Sequence, residues 1–436
     1  MKQFLKKVAL VCAVLGGSII GMTSCSNEDQ VVAPGGETRA VTRVSGLITT
    51  DTQWSGEIFL EEKVAVTNNA TLTILPGTKI VGKSVPENET DNLDATAIVI
   101  TKGAKIKAEG TASNPIVMTA ETPSLGWGGL VILGKARINQ PTTQYIEGIA
   151  VGSFPGVDTS YGGTDDNDNS GILKYVRIEY AGATIGDANE LNAFTFGGVG
   201  RGTTVEYCQA YHGEDDGFEF FGGCVNAKYL VSTASDDDAF DFDFGYTGKI
   251  QFAVATIDAS KTYSSDPNGI ECDNEKPFNA SHTPYTHPVL SNLTIVGTST
   301  GSAASALKSA ANFRRGAEFT LVNSIMCGFP KGIYFTDAPQ LGASVLSNNI
   351  ISSVPAGNEI IDGTAGTQAN NSFVDNATHI GLGSVWGGNN GLMPGSGSIA
   401  ISGASFSGLD SWFTTTTYRG AIGGRSNWAT QSWVKQ

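Results

Sequence analysis

The chain is short of positive charge. Its 436 residues include 27 Lys and Arg against 42 Asp and Glu, a formal net charge of −15, and only 4 His. Three of the lysines fall within the first seven residues; without them, 24 basic residues face 42 acids, a formal −18. Phosphate recognition needs a basic surface, so nucleic acid and anionic lipid are excluded as expected partners. An acidic surface suits divalent cations, neutral sugars or solubility alone. Cysteine is scarce as well. Of six, Cys12 and Cys25 lie near the start, leaving Cys208, Cys224, Cys272 and Cys327. No CxxC or Cys/His spacing is present, which removes a zinc site of that kind. A Cys208–Cys224 disulfide stays open. Helical periodicity longer than three turns is missing after the first two dozen residues. With Gly at 55 of 436, the composition is that of an all-β chain.

What the chain does have is repetition. Asp215-Asp216-Gly217-Phe218-Glu219-Phe220 returns 22 residues later as Asp237-Asp238-Ala239-Phe240-Asp241-Phe242. A looser copy follows as Asp266-Pro267-Asn268-Gly269-Ile270-Glu271-Cys272. Polar and apolar residues alternate in all three, as in strands that bury one side. Phe218, Phe240 and Ile270 are expected to point inward, with Phe220, Phe242 and Cys272. Glu219, Asp241 and Glu271 are expected outward, one above another. Thr71-Leu72-Thr73-Ile74 also maps onto Ala97-Ile98-Val99-Ile100 at a shift of 26, which would stack Leu72 on Ile98, Ile74 on Ile100 and Ile80 on Ile106. Units this short cannot bury a core alone, whereas coiling them upon one another can. The expectation is a single-domain, single-stranded, right-handed parallel β-helix over 43–436, with capped ends. Roughly a dozen coils spaced like paired strands would give a rod on the order of 60 Å. Propeller units are longer, about 40 residues or more. Insertions are expected at 84–95, 140–171, 258–288 and 297–312, gathered on a binding face. Trp412, Trp428 and Trp433 crowd the last 26 residues, which read as a cap over the last coil, about 405–436, with an aromatic sugar platform as the alternative.

Residues 1–24 are basic, then apolar, and too short to span a membrane as a helix. They end in Met22-Thr23-Ser24-Cys25, which resembles a bacterial lipoprotein signal, although Met stands where Leu is usual. The resemblance implies lipidation of Cys25. Ser26-Asn27-Glu28-Asp29 resembles the surface-export signal of lipoproteins in the Bacteroides group. Residues 25–42 then read as a flexible tether. The stretch Val64 to Thr78 resembles the opening coil of secreted β-helix proteins, and Glu109 to Thr119 resembles a coil boundary recurrent in them. With the acidic repeats, the whole of 42–436 resembles Bacteroidetes cell-surface parallel β-helix lipoproteins. That resemblance implies fold and an outer-membrane, outward-facing location. It implies no agreed activity.

The stacked acids are the candidate site. Equivalent carboxylates on neighbouring coils stand about 5 Å apart, close enough to raise one another's pKa or recruit a cation. Ca²⁺, which takes six to eight oxygen ligands, is the expected compensator, with Asp216, Asp238, Asp241, Asp243, Asp266 and Asp273 as candidate ligands. Glu219, Asp241, Glu271 and Arg314 are candidate binding residues for an extracellular glycan, with the protein expected to be a monomer. Gly213-Glu214-Asp215-Asp216-Gly217 is similar to the Asp-Asp turn of polygalacturonase-like enzymes, which implies Asp215, Asp216, Asp237 and Asp238 as acid–base pairs in a polysaccharide hydrolase. The Gly-His-Gly and Arg-x-Lys coils of those enzymes are absent in order. A lyase would need a basic residue beside the cation, and the sequence shows no such cluster. Arg314-Arg315 is expected to end the acid ladder through a salt bridge to Glu271. Asp165 to Gly171 fails the EF-hand pattern and reads as an Asx-rich turn. A structural or adhesive surface protein without a small-molecule site completes the alternatives.

Overall fold

The computed structural model describes residues 25–32, 38–84, 95–149, 152–183, 191–263, 266–424 and 426–436. The expected signal peptide lies outside the described residues, as does most of the 84–95 insertion. The tether contains a strand: Cys25–Val32 pairs antiparallel with Thr38–Ile48. From Thr38–Ile48 onward the strands of the body pair in parallel, each with its equivalent one coil away. The result is a parallel β-helix with three sheets. Among the described residues no helix is long and apolar enough to cross a membrane.

The front sheet runs through Ala97–Ile100, Gly129–Leu133, Phe194–Gly197, Phe218–Phe221, Phe240–Asp243, Glu271–Cys272, Ser309–Arg314 and Lys331–Thr336. A side sheet and a back sheet share long strands that bend once. Thr204–Tyr211, Asn226–Thr233 and Lys249–Thr256 contribute to both. Among the described residues the back sheet has twelve successive rungs. The bend is one left-handed residue: Tyr175, Tyr207, Tyr229 and Phe252, then Asn292, Asn323 and Asn348. The aromatic members stack at 4.5, 4.4 and 5.1 Å.

The expected inward residues form the core. Phe194, Phe218 and Phe240 stack at 4.7 and 5.5 Å, and Phe196, Phe220 and Phe242 at 4.9 and 5.2 Å. All are essentially inaccessible. Burying each ring is worth about 1.5–3 kcal/mol, and each ring pair about 0.5–1.5 kcal/mol more. Gly217 turns the corner before Phe218, where a Cβ would sit 2.8 Å from the Ala239 carbonyl oxygen.

Two expectations are corrected, and the open question of a Cys208–Cys224 disulfide is answered. The 26-residue shift joined different sheets: Leu72 pairs with Ile106, Ile98 with Val64 and Ile80 with Met118. Short apolar strands look alike whichever side of the coil they occupy, and the insertion at 84–95 lengthens that coil. The terminal segment does not cap the last coil. It runs back along the outside of the bend and the back sheet. Trp433 meets Tyr175 and Tyr207 edge-on at 5.9 Å, and Lys435 reaches Glu179 at 2.8 Å. The aromatic ridge supplies the apolar partners that the tryptophans need. Finally, Cys208, Cys224, Cys272 and Cys327 are free, buried thiols. Cys208 belongs to the bent strand Thr204–Tyr211, whereas Cys224 lies in the turn after the front strand.

Candidate functional site

The insertions avoid the bend between side and back sheets. They enter at the two corners that border the front sheet. Residues 257–270 and 297–308 lead into front strands, while 134–170 and 273–288 leave them. The front sheet is therefore walled on both long edges. One wall folds inward: Ile146, Ile149, Phe154 and Tyr161 pack on Val131, Leu133 and Phe221. The two walls that leave the sheet are tied by Asn139 to Asn274 at 2.9 Å and Gln140 to Glu275 at 3.1 Å.

Between the walls the outward register reads Thr195, Glu219, Asp241, Glu271, Asn312, Tyr334. The expected ladder of Glu219, Asp241 and Glu271 is present, and each residue is only 8 % exposed. Two residues further along each strand come Phe221, Asp243 and Arg314. Arg314 forms an ion pair with Glu271 and stands 3.5 Å from Asp273, and Arg315 also pairs with Asp273. The expected salt bridge of Arg314 to Glu271 is present across 43 residues of chain, and with Arg315 it sets a basic cluster beside the acids. Those residues are spent on a long insertion, so one coil of height separates them.

A second ladder occupies the corner. The Asn192 Oδ1 accepts the Asp216 N–H at 3.3 Å, the Asp216 Oδ1 accepts the Asp238 N–H at 2.8 Å, and the Asp238 Oδ1 accepts the Asn268 N–H at 2.7 Å. The Asn268 Oδ1 continues it to the Ser309 N–H at 3.1 Å. Each side chain satisfies a backbone donor of the next coil that would otherwise be buried and unmatched. Asp216 and Asp238 therefore do structural work with one oxygen each. Asn192 and Asn268 were missed from sequence. The signal was there, since Leu191-Asn192-Ala193-Phe194-Thr195-Phe196 repeats the acidic motif with its acids replaced.

The carboxyls converge. Asp216, Glu219 and Asp241 offer oxygens within 4.8 Å of one another, as do Asp238, Asp241 and Glu271, and as do Asp215, Asp216 and Asp237. Burial pushes Asp216, Glu219, Asp238, Asp241 and Asp243 well above the usual carboxylate range, and neighbouring acids push them further. Asp273 is raised by burial too, against the pull of Arg315. Asp243 Oδ1 and Asp273 Oδ1 are enclosed without a hydrogen-bond partner. Asp266 does not join them: it faces solvent and pairs with Lys308 at 3.0 Å. In that coil Asn268 takes the corner position, so the acid two residues earlier falls outside the turn. The Asp165–Gly171 turn is held by its own Asx bonds and by Arg137 and Arg201 against Asp166.

Residues 46–391 match the family described as a pectate-lyase-like β-helix domain. No curated protein and no solved structure matches the chain.

Proposed function

Because the chain belongs to the pectate-lyase-like β-helix domain family, we propose that it binds an extracellular polysaccharide along the walled front sheet, with a divalent cation on the acid ladder. One observation carries the reading: the sheet exchanges apolar outward residues for Glu219, Asp241 and Glu271 where insertions wall it on both edges. The donor set is all oxygen, which suits Ca²⁺. The enclosed, unpartnered oxygens of Asp243 and Asp273 fit such an ion, and so do the two carboxyl trios that share Asp241. Asp216, Glu219 and Asp241, or Asp238, Asp241 and Glu271, would hold it, stabilising the groove floor. Arg314 would meet a sugar oxygen at the groove's end. The lipoprotein-like start would anchor the protein through Cys25 to the outer membrane, facing outward.

A hydrolase is the second reading, favoured by the raised carboxyls of Glu219 and Asp241 on adjacent coils. It ranks lower because Asp216 and Asp238 already accept backbone amides. The test is incubation of the 26–436 protein with neutral and acidic polysaccharides in Ca²⁺. We expect retention of at least one polymer in affinity gels, with no new reducing ends or unsaturated products. Cleavage that disappears in Glu219→Gln would overturn the binding reading in favour of the enzyme.

A further inference from the structure

A second crevice lies on the same edge of the front sheet, away from the acids. It encloses about 280 Å³ and is lined by Ser299, 353–356, 375–378 and Trp386. Ser299 belongs to the corner two coils beyond the Asp238 turn, and Val354 to the corner four coils beyond it. That places the crevice roughly 10–20 Å along the rod at ~4.8 Å per coil. A polymer lying in the front groove would run toward it.

Trp386 is 44 % exposed, one of few large apolar side chains so presented. Its ring is held in place from behind. Gly328 has φ +80°, and a Cβ there would sit 2.7 Å from the indole. Only glycine lets the ring lie so close to the strand backbone. The turn Val354-Pro355-Ala356 also lines the crevice, fixed by Ser353 Oγ donating to the Pro355 carbonyl at 2.7 Å. Polar groups ring the ledge. Asn376 spends its Oδ1 on the Thr378 N–H at 2.9 Å and leaves its Nδ2 to a ligand. Asp375 shares one oxygen with His379 at 2.8 Å and keeps the other. Ser299 adds an exposed hydroxyl.

We infer that this crevice is a subsite for one ring of a neutral sugar, stacked on Trp386. An exposed indole matches the C–H face of a pyranose, whose hydroxyls then point at the surrounding donors and acceptors. The one charged residue in the lining is Asp375, which repels a uronate. The sugar class here is thus the opposite of the one Arg314 would favour. The inference rests on the polysaccharide-binding reading, and the two fail separately in the following experiment.

The 26–436 protein would be run in affinity gels containing galactomannan, hydroxyethyl cellulose or xyloglucan, and in a gel containing polygalacturonate. Trp386→Ala should weaken retardation by a neutral polymer about tenfold or more, and Trp386→Phe should restore most of it. Ala356→Arg, an exposed change that fills the crevice without touching the core, should reproduce the loss. Polygalacturonate should retard parent and variants alike. Retardation by a neutral polymer that survives both Trp386→Ala and Ala356→Arg overturns the subsite and leaves glycan binding standing. So does a parent retarded by polygalacturonate alone. A parent retarded by none of the four overturns both.

Discussion

At Asp216 and Asp238 the carboxyl both accepts a backbone amide and belongs to an acid cluster. The chain itself shows how these roles separate. Asn192 and Asn268 occupy the same ladder on the coils to either side and make the same bond. Asp238→Asn should therefore keep the acceptor, remove a buried acid and leave stability equal or higher. Asp238→Ala should cost about 1–3 kcal/mol, because the Asn268 N–H is left buried and unmatched. Urea unfolding of the two variants reads the difference; equal losses would mean that the ladder bond contributes little. Sequence made the acids conspicuous and hid this second duty. An Asp that accepts an amide and an Asp that faces a ligand are the same letter, and only the coil geometry tells them apart.

The elements were legible wherever the repeat was tight. The 22-residue copies fixed the inward phenylalanines and the outward acids, since a strand of alternating residues permits one register. Two features were not legible. The salt bridge of Arg314 to Glu271 was expected, but the reach of both arginines to Asp273 was not. The 26-residue shift failed because apolar strands of four residues carry too little information to name their sheet. The C-terminal segment misled for a third reason: aromatic content predicts burial but not against what. Its partner is the stacked Tyr175, Tyr207 and Tyr229 along the bend. Trp433 is fully buried there, whereas Trp412 is only half-buried. Trp433→Ala should cost about 3–5 kcal/mol, the range for a buried aromatic, and Trp412→Ala clearly less. Chemical denaturation checks this order; a larger loss at Trp412 would mean that the strap is held elsewhere.

Across the whole molecule, the acid ladder couples folding to protons, and the proposed cation would couple it to metal. Asp216, Glu219, Asp238, Asp241 and Asp243 have folded pKa values raised above the usual carboxylate range, chiefly by burial. Such groups hold protons in the folded state at a pH where the unfolded chain has lost them. Metal-free stability should then fall as pH rises from the ordinary carboxylate range through the raised folded values, and level off above them. A cation bound as proposed would replace those protons and recover at neutral pH what deprotonation removed. The most direct measurement is the melting temperature at pH 5 and at pH 7.5, each with EDTA and with excess Ca²⁺. The account predicts a lower Tm at pH 7.5 than at pH 5 in EDTA, with Ca²⁺ raising the pH 7.5 value most and a smaller rise in Asp241→Asn. A Tm indifferent to Ca²⁺ at pH 7.5 would contradict a cation on the acid ladder.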